Sequence, residues 1–221
     1  DDPFLESTYQ DQFILGGRYS YFYNSRSLEQ QFEDPDDFYF NANLNLSGNI
    51  LRLTQEVFNK EDEMNSQNVF AIGGLPYAQF SKLDVDFRYY RRFDRNHRLA
   101  FRLIAGVGYA YGNSASMPYT HQFAIGGSNS IRAFSPRSVG PGEYSIPDSL
   151  IERNAFVDQT ADIKLEMNLE YRFDLYKKLK GAVFVDAGNI WTARVQDTRP
   201  GGEFRWDRFY KQIAVGTGVG L

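Results

Sequence analysis

The chain of 221 residues contains no cysteine, which excludes disulfides, zinc–thiolate sites and thiol nucleophiles. Histidine is nearly absent: His97 lies beside a tight turn and His121 in a long connection, and both are expected as surface residues, not ligands. There is no cationic excess. The net charge is −4 and the pI near 5.3, which argues against a nucleic-acid partner. No apolar run approaches the roughly 18–20 residues that a transmembrane helix needs. The motifs G-x-S-x-G, H-E-x-x-H and the P-loop are missing, so no enzyme class is indicated and no cofactor is expected. The acidic stretches "EDPDD" (Glu33 to Asp37) and "KEDEMN" (around Asp62) lack the EF-hand spacing and read as solvated turns, leaving no metal site.

Mean hydropathy is −0.49, which ordinarily indicates a water-soluble protein. A transmembrane barrel also scores low, because only every second residue meets lipid. Hydropathy therefore leaves both open. Aromatics are abundant and are Phe and Tyr, with 19 and 15 against 2 Trp. The first residues, "DDPFLESTYQ", read as a loop without a targeting segment, so the chain is expected to be part of something longer.

Alternation with period two dominates. From Ala161 to Leu175, "ADIKLEMNLEYRFDL", Ile163, Leu165, Met167, Leu169, Tyr171, Phe173 and Leu175 alternate with polar residues without a break. This is far longer than the usual soluble strand of about 5–6 residues. Phe38 to Ile50, Lys82 to Tyr89 and Leu99 to Tyr111 alternate likewise, and Phe13 to Tyr23, Gly181 to Trp191 and Gln212 to Leu221 complete the set. The expectation is all-β: seven antiparallel strands, no helix, and connections that alternate short (93–97, 176–180) with long (54–76, 113–160, 192–209). A soluble β-sandwich also hides one apolar face per strand. Strand length, loop asymmetry and aromatics near strand ends (Tyr19, Tyr21, Tyr23, Tyr109, Tyr111, Trp191) favour part of a transmembrane barrel instead.

The face opposite the apolar one is rich in small residues: Ala100, Gly106, Gly108 and Ala110 on one strand, Ala214, Gly216, Gly218 and Gly220 on another. They vacate volume that something must fill, or they relieve strain where strands bend. Within the long connection, "FAIGGSNSIRAFSPRSVGPGEY" holds Arg132 between Ile131 and the aromatic Phe134, flanked like a core residue. A buried guanidinium needs a carboxylate. Parity turns Glu170 and Asp186 to the polar face of two strands joined by a short turn. One planar guanidinium can span both acids. On parity alone, the alternative that both acids are simply solvated stands equally.

"IGGSNSIRAF" resembles the inward-folded loop six of the BamA/TamA superfamily of outer-membrane insertases and translocators. That motif is a Gly-Gly turn (Gly126, Gly127) followed by Ile131, Arg132, Ala133 and Phe134. "FVDAG", with Phe184, Asp186 and Gly188, resembles the superfamily's Phe-x-Asp-x-Gly strand motif, and "NLEY" (Asn168 to Tyr171) its Glu-bearing motif. The resemblance implies that 1–221 is a partial outer-membrane barrel, strands eight to fourteen of sixteen, with loop six at about 113–160 tethered through Arg132, Glu170 and Asp186. It implies a bacterial outer-membrane factor that folds or inserts other proteins. Its clients would be unfolded β-barrel proteins, and its surroundings membrane lipid and periplasmic or lipoprotein partners. A polypeptide-secretion pore of the same superfamily and a passive porin are the alternatives. Ala133 stands where the superfamily has Gly, and an ordinary backbone conformation is expected there. "SPRSVGPGEY" resembles the TamL-like branch of Bacteroidetes-type bacteria.

Overall fold

The structure, a computed structural model, describes residues 11–25, 35–58, 69–145, 159–176, 179–193 and 199–221. Glu33, Asp34 and the "KEDEMN" stretch lie outside them. Seven long strands form one antiparallel sheet: β1 (Gly16–Asn24), β2 (Asp36–Ser47), β5 (Phe80–Arg92), β6 (His97–Ala110), β7 (Ile163–Tyr176), β8 (Leu179–Trp191) and β9 (Ala214–Gly220). Each pairs with the next in that order, and among the described residues β1 and β9 are the edges. A two-stranded hairpin, β3 (Ala71–Ile72) and β4 (Leu75–Pro76), stands apart. Strands of 13 or 14 residues, as in β5 to β8, exceed the about 9–11 needed to cross a bilayer at a tilt.

The register preserves the parity read from the sequence. Leu103 pairs with Met167, and Leu169 with Val185, so apolar residues meet on one face. That face is left open: Tyr19, Tyr21, Leu46, Leu83, Val107, Met167, Leu169, Val183 and Val185 are all exposed. A sandwich would cover it with a second sheet, and among the described residues nothing does. So continuous an apolar surface marks a face that meets lipid or another apolar partner, and with strands of this length it fits the wall of a transmembrane barrel. The opposite, inner face carries the described parts of the connection between β6 and β7, residues 111–145 and 159–162, where Phe123, Ile125, Ile131 and Val139 pack with Ala161 and with Ile190 of β8. Burying each large aliphatic side chain there contributes about 1.5–3 kcal/mol.

Three expectations need correcting. The segment after β2 is not a strand continuing to Ile50: Gly48 turns the chain at a φ of 78°, and Asn49–Phe58 form a ten-residue helix, α1. Trp191 is not in the aromatic girdle. It is fully buried, its Nε1 donates to Gln212 Oε1 at 2.7 Å, and Phe204 and Phe209 of the next connection pack edge-on against it. Finally, Asp36 of the acidic run is no turn residue but opens β2, accepting a hydrogen bond from Tyr89 Oη at 2.7 Å.

Candidate functional site

The inner face of β7 and β8 is where the loop tip lands. Gly126 and Gly127 take φ of 109° and 93°, a conformation open to glycine and strained for other residues. These two turn the chain so that Gly127 N–H donates to Phe134 O (2.9 Å) and Ser130 N–H to Gly127 O (3.0 Å). The six residues between are thereby closed into a compact tip. Ile131 faces down into the core and is fully buried, and Phe134 packs beside it.

Arg132 then faces the strands. Its Nε and Nη2 donate to Asp186 Oδ2 and Oδ1, both at 2.8 Å, the two-pronged geometry that suits a guanidinium. Its backbone N–H adds a third bond to Asp186 Oδ2 at 3.0 Å. Nη1 donates to Glu170 Oε2. Arg132 Cζ lies over the Phe184 ring, 3.5 Å from its centroid, so a cation–π contact adds to the ion pairs. Asp186 is completely buried, whereas the Arg132 side chain keeps 27% of its exposure. The register explains how one cation reaches both acids: Asp186 pairs with Asn168 and Glu170 with Phe184, so the two carboxylates sit diagonally across the β7–β8 ladder.

The side chains of Arg132, Glu170, Asp186 and Phe184 converge beside the turn at Gly126 and Gly127. Around them lies a network that the sequence pattern did not single out. Asn168 Nδ2 donates both to Ser130 O (2.9 Å) and to Asp186 Oδ1 (3.0 Å), stitching tip to strand. Glu166, buried on the same face, accepts from Ser130 Oγ at 2.6 Å and pairs with Lys164 at 2.9 Å. Arg172 Nε holds the second oxygen of Glu170 at 2.6 Å. The signal was present, because Glu166 and Asn168 share the parity of Glu170 in the same uninterrupted alternation.

Ala133 has no positive φ; among the described residues Arg137 is the one non-glycine that does. The methyl of Ala133 lies over Gly216 of β9, where an added Cβ would come within 2.6 Å of it. Other wall glycines play the same part. A Cβ on Gly106 would strike the Phe123 ring, one on Gly108 the Met117 sulfur, and one on Gly188 the Ile125 Cδ1 at 2.7 Å. The volume vacated at Gly106, Gly108, Gly188 and Gly216 is therefore filled by loop side chains, whereas Gly218 makes room for Phe184 of the neighbouring strand. Gly188, the last residue of the strand motif, serves as a socket.

Further along the loop, "SPRSVGPGEY" runs along the end of β8: Gly142 N–H donates to Ile190 O at 2.8 Å and Asn189 Nδ2 to Gly142 O at 2.9 Å. His121 is half-buried, not superficial. It lies against Phe80 with ring centroids 4.8 Å apart, and its pKa is lowered by burial and then by the Lys82 cation. Among the described residues no group of His, Asp or Glu has the arrangement of a metal site.

A family model, the Omp85 superfamily domain, matches residues 6–221. Among solved structures the chain is similar to BamA from Haemophilus ducreyi lacking POTRA domains 1-3, at 16% identity and a TM-score of 0.46, covering 93% of this chain and 47% of that one. The chain thus spans about half the length of the solved structure it matches.

Proposed function

Because the chain belongs to the Omp85 superfamily, and so to the β-barrel proteins of the bacterial outer membrane, we propose that it forms part of the wall and the inward loop of a barrel that folds and inserts other β-barrel proteins. The observation that carries this reading is the lock on the loop: Arg132 held by Asp186 and Glu170 against the inner face of β7 and β8. In this reading the seven long strands are strands eight to fourteen of sixteen, and residues 113–160 are loop six. The lock keeps two adjoining strands in register while the barrel opens elsewhere. The opening edge would lie between strands outside this chain, where an unpaired strand can template a client by edge pairing. The clients are unfolded outer-membrane β-barrel proteins, with membrane lipid around the wall and periplasmic or lipoprotein subunits as partners. The stretch "SPRSVGPGEY" supports a TamL-like branch.

A passive porin would need an open lumen. A loop packed into wall glycines argues for an obstructed one, so planar-bilayer recordings are expected to give low, flickering conductance. Large steady conductance would move the reading to a porin. The direct test reconstitutes the full-length protein in liposomes and follows folding of an unfolded barrel client by its heat-modifiable migration. Acceleration is expected with the parent and much less with Arg132→Ala. A parent that passes an unfolded polypeptide across the membrane without inserting it would mark a secretion pore instead.

A further inference from the structure

Helix α1 is mounted the wrong way round for water. Asn49, Arg52 and Gln55 recur at helical spacing along one side, and that polar side is the one docked on the protein. Asn49 Oδ1 accepts from Tyr111 Oη (2.9 Å) and Gln79 Nε2 (3.2 Å), Arg52 lies over the Phe70 ring at 4.8 Å, and Gln55 Oε1 accepts from Tyr77 Oη at 3.0 Å. Ile50 and Leu53, one turn apart on the far side, are 68% and 64% exposed. A helix on an aqueous surface does the reverse, burying its apolar stripe and showing its polar one.

Ile50 also overhangs a notch of about 390 Å³ on the sheet, with Leu15, Tyr19, Leu44 and Leu46 as its other apolar walls and Arg18 and Asn49 as its polar members. Tyr19, Leu44 and Leu46 share the outer face, so the notch is continuous with the apolar wall. At Gly17 an added Cβ would meet nothing within 4 Å, so the floor is vacant.

We propose that the apolar stripe of α1 is embedded in the interfacial zone of the membrane at the long-connection edge, and that the notch beneath it takes an acyl chain of a membrane lipid. The inference rests on the outer-membrane barrel reading. Two features select lipid as the occupant: the notch runs without interruption into the lipid-facing wall, and the helix is pinned through its polar side so that its apolar side meets whatever surrounds the barrel.

The test uses the full-length protein in liposomes, cleared of other thiols, with a fluorophore on a single cysteine at Leu53→Cys or Gly17→Cys. Val185→Cys on the outer wall and Arg95→Cys in the 93–96 turn are the lipid and water references. Probes at 53 and 17 should be quenched by lipids carrying a nitroxide on the acyl chain, as at 185, and should be quenched by aqueous iodide about fivefold less than at 95. Either probe behaving like the one at 95, or shielded from both quenchers as under a protein partner, overturns the proposal. If the probe at 185 also escapes the lipid quencher, the barrel reading itself falls and takes this inference with it.

Discussion

Replacing Arg132 with alanine should release the loop, and the structure sets the size of the effect. Asp186, fully buried, would lose two side-chain donors and keep the Arg132 N–H and Asn168 Nδ2. Glu170 would lose one arginine and keep Arg172. Removing one partner of a buried pair costs about 3–5 kcal/mol, because the other charge is stranded. The lower end applies here, since water already reaches the guanidinium, which is 27% exposed. About 3 kcal/mol corresponds to roughly a hundredfold rise in the opened fraction. The chain has no cysteine, so Val139→Cys, whose native side chain is buried in the same cluster as Ile131, gives a clean thiol reporter. Its maleimide labelling rate follows the opened population. Arg132→Ala should accelerate labelling about a hundredfold. Arg132→Lys, which keeps the charge but loses the fork, should fall between it and the parent. Adding Asp186→Asn to Arg132→Ala should slow labelling again by removing the stranded charge, so the two changes are non-additive. Labelling of Arg132→Ala within twofold of the parent, or strict additivity, would refute the reasoning.

Gly216→Val should push Ala133 off β9 and cost about 1–3 kcal/mol by overpacking, read as faster labelling of the same thiol; Gly216→Ala should cost less, and adding Ala133→Gly should rescue it. Ala133→Gly alone should gain nothing, because no left-handed conformation is waiting to be relieved; a loss of up to about 1 kcal/mol from backbone entropy is expected, and a clear stabilisation would contradict it. The His121 pKa lies below its usual 6.5, so the released loop binds the proton more readily than the docked one. Its contribution to docking should therefore be complete above pH 6.5 and fade as the pH drops below that value; an NMR titration giving a midpoint above 6.5 would reverse the sign. Phe184→Leu should weaken the lock by about 1 kcal/mol through loss of the cation–π contact, measurable as a lower temperature of heat-modified migration.

The strands were legible because an exposed apolar face and a polar inner face impose a strict period of two, and a slip of one residue would exchange the faces. That same parity placed Glu170 and Asp186 on the inner side. The helix was not legible, for a physical reason. Ile50 extends the alternation of β2 by chance, the first turn of α1 carries no acid, and its apolar stripe turns outward where a globular helix would turn it inward. Nor was the fate of Trp191: a tryptophan ending a strand looks interfacial until Phe204 and Phe209 fold over it from a connection that local pattern cannot place. Ala133 departed from the motif without consequence for backbone geometry, and its fit depends on Gly216, 83 positions away in the chain.

The glycine sockets have a consequence for engineering. Gly106 and Gly108 on β6, Gly188 on β8 and Gly216 on β9 each receive one side chain of the loop. Loop and sheet are thus cut to each other like a key and its tumblers. A loop grafted from a distant relative will seat only if the matching hollows travel with it, and chimeras divided between the two parts should jam.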